Sequence, residues 1–255
     1  MQIDRRLLIQ GGLASLISRP APAHARRAIG AATTRFKALA FDAFPIFDPR
    51  PIAALAETLF PGNGSRLVEL WRTRQFEYSW LRTAAGQYAD FMKVSEEALV
   101  FAGAALKLQL TDEKRDQLLR AYLALGTWPD AKPALQRLRQ AGARLALLSN
   151  LTPAMLEGSI ATSRLEGVFE HVLSTDRAKT YKPAPDAYRL GLDAFGLAKN
   201  EILFVAFAGW DAAGAKAFGY PTFWVNRLGL PSEELGGKAD AEGQSLADLT
   251  AYALG

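Results

Sequence analysis

From residue 128 to the end of the chain, short apolar runs alternate with stretches of helical periodicity, and no other feature limits the fold so tightly. Residues 131–140 carry helical spacing and close at Gly142, residues 144–148 read as a strand running into Ser149-Asn150, and residues 153–163 are helical again. A strand over 169–173, a helix over 185–195, a strand over 202–207, a helix from Asp211 to 218 and a last strand over 222–225 continue the pattern. Residues 236–243 read as a polar loop and residues 246–254 as a closing helix. Repeated βα units of this kind predict an α/β fold with a doubly wound parallel sheet, a Rossmann-like core with helices on both faces. One further apolar run, Lys37-Ala-Leu-Ala-Phe-Asp42, precedes them, and Pro45 with Asp48-Pro49 supplies the turn that ends it.

Between that first strand and residue 125 the period is helical throughout. Leu67, Leu70, Trp71, Arg74 and Tyr78 fall three and four residues apart, and residues 96–106 and 112–123 repeat the spacing, with Pro61-Gly62-Asn63-Gly64 turning the chain into the long helix. An all-helical insertion directly after a first strand predicts a cap. The expected division is therefore a core domain of residues 36–49 and 126–255 and a helical cap domain of residues 50–125.

The first 25 residues differ from the rest. Arg5-Arg6, a modest apolar stretch from Leu7 to Ile17, Pro20, and Ala23-His24-Ala25 as a small-x-small site predict a twin-arginine-like export signal, with residues 26–35 as a linker and a periplasmic location. An uncleaved basic helix in a cytoplasmic protein is the alternative. The apolar stretch is too short and too interrupted by Gly and Pro to span a bilayer, so no membrane anchor is expected in the mature form. About half of the net charge of +4 falls there, and without a basic stripe elsewhere nucleic acid is not indicated as a partner. With no cysteine, thiol nucleophiles and Cys-based metal sites are excluded. If His24 is removed with the signal, a histidine-based triad would depend on His171 alone.

Ligands of open α/β sheets bind beyond the carboxyl ends of the strands. The polar residues ending or following these strands, Asp42, Ser149-Asn150, Lys182 and Asp211, should therefore share a crevice able to support nucleophilic displacement. Each has a plainer explanation: Asp42 could hold a loop, Ser149, Asn150 and Asp211 could cap helices, and Lys182 could be a solvated loop lysine.

Phe41-Asp42-Ala43-Phe44, Leu148-Ser149-Asn150, Tyr181-Lys182-Pro183 with Tyr188, and Gly209-Trp210-Asp211 together resemble the haloacid dehalogenase superfamily. Trp71-Arg72-Thr73-Arg74-Gln75-Phe76 and the run to Arg82 look specifically like the cap helix of L-2-haloacid dehalogenases. The resemblance implies a hydrolase in which Asp42 displaces halide from a short 2-haloacid, forming an ester that water cleaves to a 2-hydroxy acid. It implies that Arg72, with Asn150, receives the halide, that Ser149 holds the substrate carboxylate, that Lys182 orients Asp42 with help from Tyr188, and that Asp211 activates water. Phe44, Phe76 and Trp210, with Phe91, would wall the pocket. Neither a cofactor nor a metal is expected, and a homodimer is the assembly such enzymes suggest.

The superfamily's Mg²⁺-dependent phosphatases are the alternative enzyme class, and a divergent binding protein the non-enzymatic one. The phosphatases carry a second Asp two residues after the nucleophile, where this chain has Phe44. Phenylalanine can neither protonate a leaving alcohol nor ligate a hard cation. Two departures touch the site: the turn after Asp42 is one residue short and lacks the family's threonine, and Ala206 and Ala208 replace a common Ser-x-Asn pair. Ser174 or Thr175 could then hold the hydrolytic water.

Overall fold

The computed structural model describes residues 34–255. Six strands form one wholly parallel sheet: β1 (Ala38–Phe41), β2 (Arg144–Ser149), β3 (His171–Ser174), β4 (Ile202–Ala206), β5 (Thr222–Val225) and β6 (Ala241–Gly243), in the spatial order β3-β2-β1-β4-β5-β6. The first strand therefore lies in the middle. On either side of it the chain winds outward in opposite directions, which opens a crevice at the carboxyl ends of β1 and β4.

Helices cover both faces because both faces are apolar. Leu39 and Phe41 of β1, Leu145 and Leu147 of β2, and Leu203 and Val205 of β4 enter one buried cluster, under α5 (Ala131–Gln140), α6 (Pro153–Ser163) and α9 (Leu246–Leu254). The intervening Ala38, Ala40, Ala146 and Phe204 face a second cluster, where Tyr188 of α7 (Pro185–Phe195) and Phe218 of α8 (Gly209–Phe218) pack with Tyr220. The small residues of β1 on that face leave the volume that these aromatic rings fill. A strand buried on both sides reads as a continuous apolar run, as residues 38–41 do.

Between β1 and β2 the chain forms α1 (Arg50–Leu59), α2 (Gly64–Ala84), α3 (Phe91–Ala105) and α4 (Asp112–Ala121). Trp71 of α2 is buried against Tyr122 and donates its indole N–H to the Ser95 carbonyl at 2.7 Å, while Gln75 bonds to Ser95 Oγ at 2.8 Å. These bonds fix the rotation of α2 about its axis. Arg72 and Phe76, one residue on from each, are thereby turned toward the sheet's carboxyl edge, where both line the crevice.

Three local expectations change. The loop expected over 236–243 ends in an edge strand, β6, because backbone pairing to β5 and the Asp240–Lys216 ion pair at 2.8 Å hold a segment with no apolar pattern to reveal it. β3 begins at His171, two residues later than its apolar run. Arg35, expected in the linker, already donates its backbone N–H to Ala253 at 2.9 Å, so α9 fastens the chain one residue before the core. The export signal expected over residues 1–25 lies outside the described residues.

Candidate active site

Asp42 follows β1 directly, and its backbone N–H donates to Val205 at 2.9 Å, which extends the ladder just far enough to fix the carboxylate at the sheet edge. Its Oδ1 accepts from Lys182 Nζ at 2.8 Å and, at 3.4 Å, from Ser149 Oγ. Its Oδ2 has one long bond, from the Phe44 backbone N–H at 3.2 Å. Asp42 does hold its loop in this sense, but the loop bond uses only one of its two oxygens.

Lys182 is buried and bridges two acids, with Asp211 Oδ2 2.6 Å from its ammonium. Burial alone would lower its pKa, yet the attraction of Asp211 and then Asp42 outweighs that and keeps it above the ordinary lysine value, so the group stays charged. Asp211 moves the other way. Burial first, and the neighbouring Asp42 carboxylate next, push it up to about 6 against the pull of Lys182 and Tyr188. An acid poised there is ionised at neutral pH and is a stronger base than a solvated aspartate.

The structure brings together Asp42, Phe44, Arg72, Phe76, Ser149, Asn150, Trp210 and Asp211 around one cavity of about 20 Å³, with Phe91, Leu151, Phe207 and Ala208 completing its wall. Lys182 and Tyr188 lie outside it. Tyr188 is a correction to the substrate-binding expectation: it is buried behind Asp211, outside the cavity lining, and donates its hydroxyl to Asp211 Oδ1 at 2.8 Å. Its phenol is held protonated, chiefly by burial and then by the Asp211 charge, so it acts as a donor.

Capping does not account for the polar residues at the strand ends. Thr152 caps α6, and Ala208 occupies the cap position of α8, which leaves the side chains of Ser149, Asn150 and Asp211 for the cavity. Asn150 Oδ1 accepts from the Lys182 backbone N–H at 3.0 Å and from Thr175 Oγ1 at 3.3 Å. Because an N–H must be met by oxygen, the amide orientation is fixed, and Nδ2 is a buried donor without a partner among the described residues. Ser174 and Thr175 do not serve the water: Ser174 Oγ donates to Leu151 at 2.7 Å, Thr175 is occupied by Asn150, and neither lines the cavity. His171 starts β3 at the opposite edge of the sheet and packs on Phe195.

Arg72 reaches the cavity from α2 with its guanidinium 5.9 Å from the ring centres of both Phe76 and Phe207, and among the described residues no carboxylate pairs with it. Trp80, one turn beyond Phe76 on α2, donates its indole N–H to the Lys182 carbonyl at 3.2 Å and packs on Trp210 with ring centres 5.4 Å apart. It ties the helical insertion to the lysine-bearing loop, and Phe76, packed on Trp210 at 5.2 Å, ties it to α8. Trp80, Phe207 and Leu151 were not legible as site residues, since each sits in an apolar context whose plain reading is packing.

A family model for haloacid dehalogenase-like hydrolases matches residues 21–219. The chain belongs to the haloacid dehalogenase-like hydrolases. Within this family it is 41% identical over 207 residues to haloacetate dehalogenase H-2 of Moraxella sp. (strain B), covering 81% of this chain and 92% of that protein. It is 38% identical over 211 residues to the (S)-2-haloacid dehalogenase of Pseudomonas sp. (strain YL), covering 82% and 91%. Among solved structures, the L-2-haloacid dehalogenase of Xanthobacter autotrophicus with chloropropionic acid covalently bound superposes with a TM-score of 0.78 at 33% identity, covering 85% of this chain and 97% of that one. Chemically, the site joins two carboxylates that share one ammonium to a wall in which Arg72, Ser149 and Asn150 stand among aromatic rings.

Proposed function

We propose that this hydrolase cleaves the carbon–halogen bond of short L-2-haloacids, giving 2-hydroxy acids through an ester on Asp42. The observation that carries this reading is the combination of a lysine-held Asp42 with a water-sized cavity walled by Phe44, Phe76, Phe91, Phe207 and Trp210. A carboxylate is a weak nucleophile in water and a stronger one where aromatic walls strip its hydration and fix its line of attack.

Oδ2 of Asp42, the oxygen with the single long bond, attacks the halogen-bearing carbon. The new C–O bond forms as the carbon–halogen bond breaks, and halide departs with the bonding pair. Arg72 and the unpartnered Nδ2 of Asn150 receive it. Ser149 and nearby backbone amides hold the substrate carboxylate, while Lys182 holds Asp42 in orientation through Oδ1. Asp211 then takes a proton from a water that attacks the Asp42 carbonyl carbon and gives it to the departing alkoxide as the tetrahedral intermediate collapses; the 2-hydroxy acid leaves, and the Asp42 carboxyl loses the water's second proton to solvent. Residues 50–125 act as the cap that carries Arg72 and Phe76 over the site, and a second copy of the chain would cover the exposed Leu81 and Val100 of α2 and α3.

Halide release from L-2-chloropropionate tests the reading. The wild-type protein should release it without added metal, and Asp42→Asn should lower the rate at least about 10³-fold, as removal of a nucleophile does, while leaving the fold intact by circular dichroism. Halide release that survives in the Asp42→Asn variant would refute the assignment. Export to the periplasm is supported by the paired arginines and the small-x-small site, and amino-terminal sequencing of the mature protein should begin at Arg26; a retained Met1 contradicts it.

A further inference from the structure

Next to the cavity over Asp42 lies a second, larger chamber of about 200 Å³. The two share a wall made of Phe44, Arg72, Phe76, Phe91 and Phe207. Beyond that wall the chamber is bounded by Ile52 and Ala53 of α1, Val68 of α2, and Tyr122, Trp128 and Leu228. It is thus built where the helical insertion meets the core, on the far side of Arg72 from the nucleophile's strand.

Its polar members have already spent their hydrogen bonds. Gln75 donates to Ser95 and accepts from the Tyr122 hydroxyl at 3.2 Å, and the Trp128 indole donates to the Phe44 carbonyl at 2.9 Å. Arg50 is forked onto Asp48, with bonds down to 2.7 Å, and its guanidinium carbon lies 4.4 Å from the centre of the Trp128 ring. What these residues turn toward the chamber is therefore apolar surface, and a polar occupant would find no spare donor or acceptor except the Arg72 guanidinium on the shared wall. An apolar chamber of this order is large enough for a benzene-sized group, for which about 150 Å³ suffices.

We infer that this chamber seats the alkyl tail of the substrate, so that the enzyme takes 2-haloacids with tails of about four carbons in addition to the shortest ones. The inference rests on the dehalogenase reading above and adds a substrate class to it. The carboxylate stays at Ser149, the halogen at Arg72 and Asn150 and the reacting carbon at Asp42, and the tail passes between the rings of the shared wall into the chamber. Each methylene seated there should raise kcat/KM severalfold, in line with the free energy of removing a methylene from water.

The test is a chain-length series of L-2-bromo acids from two to eight carbons, followed by halide release. The six-carbon acid should match or exceed the three-carbon acid in kcat/KM. Val68→Phe, which fills the chamber from α2 without touching the cavity over Asp42, should cut kcat/KM for the six-carbon acid by tenfold or more and change that for the three-carbon acid by less than twofold. Ala53→Phe enters the same space from α1 and serves if the first variant does not fold. A wild-type value lower for six carbons than for three, or a variant that slows both acids by the same factor, overturns the tail seat. Halide from none of the acids would instead defeat the dehalogenase reading on which it stands.

Discussion

Asp211 shows how a single side chain is tuned by what surrounds it. Burial pushes its pKa to about 6, and the Tyr188 hydroxyl is one of the groups pulling it back down. Removing that donor destabilises the carboxylate, so the acid form persists to higher pH. Tyr188→Phe should therefore move the acid limb of the kcat profile upward by about one pH unit, since one unit corresponds to about 1.4 kcal/mol and a bond to a charged group is worth about that much. Hydrolysis of the ester, followed by pre-steady-state kinetics, should carry the shift while the halide burst keeps its own profile. An acid limb that stays in place would show that Tyr188 does not act through Asp211. The identity of this residue could be read from the sequence but its partner could not, because Tyr188 and Asp211 meet only when α7 and α8 pack side by side over the same face of the sheet.

At the scale of elements, the site depends on how closely α8 approaches the loop that carries Lys182. Gly214 makes that approach possible: a Cβ there would lie 2.6 Å from Pro183 Cβ and 2.6 Å from the Tyr188 hydroxyl. Gly214→Ala should cost about 1–3 kcal/mol, the usual range for forcing atoms into a packed interior, read as a Tm several degrees lower, with halide release falling as the Lys182 loop shifts. Unchanged stability and activity would mean that the loop yields freely. The turn after Asp42 is a second case. Short and without the family threonine, it looked in sequence like the weakest part of the site. In the fold it is braced from outside: Trp128 donates to Phe44 and to Ile46, and Arg227, forked onto Asp130, donates to Pro45 at 2.9 Å. None of these braces has a local signature, since Trp128 is 84 positions from Phe44 and Arg227 is 182 from Pro45.

Over the whole molecule, the alternation of apolar runs and helical stretches was enough to read the parallel sheet and to place Asp42, Ser149, Asn150, Lys182 and Asp211 at one edge of it. Periodicity reports which faces are buried, and a doubly wound sheet turns burial into position. What it does not report is pairing that rests on backbone alone, as in β6, or which of several buried rings happens to face a cavity, as Phe207 does. The central claim is that solvent water attacks Asp42 and never the substrate carbon. A single turnover in heavy-oxygen water, with enzyme in excess over L-2-chloropropionate, tests it by mass spectrometry of the peptide containing Asp42 and of the lactate released. We expect solvent oxygen in the Asp42 carboxylate and an unlabelled hydroxyl in the product; label in the lactate hydroxyl with none on Asp42 would contradict the ester mechanism.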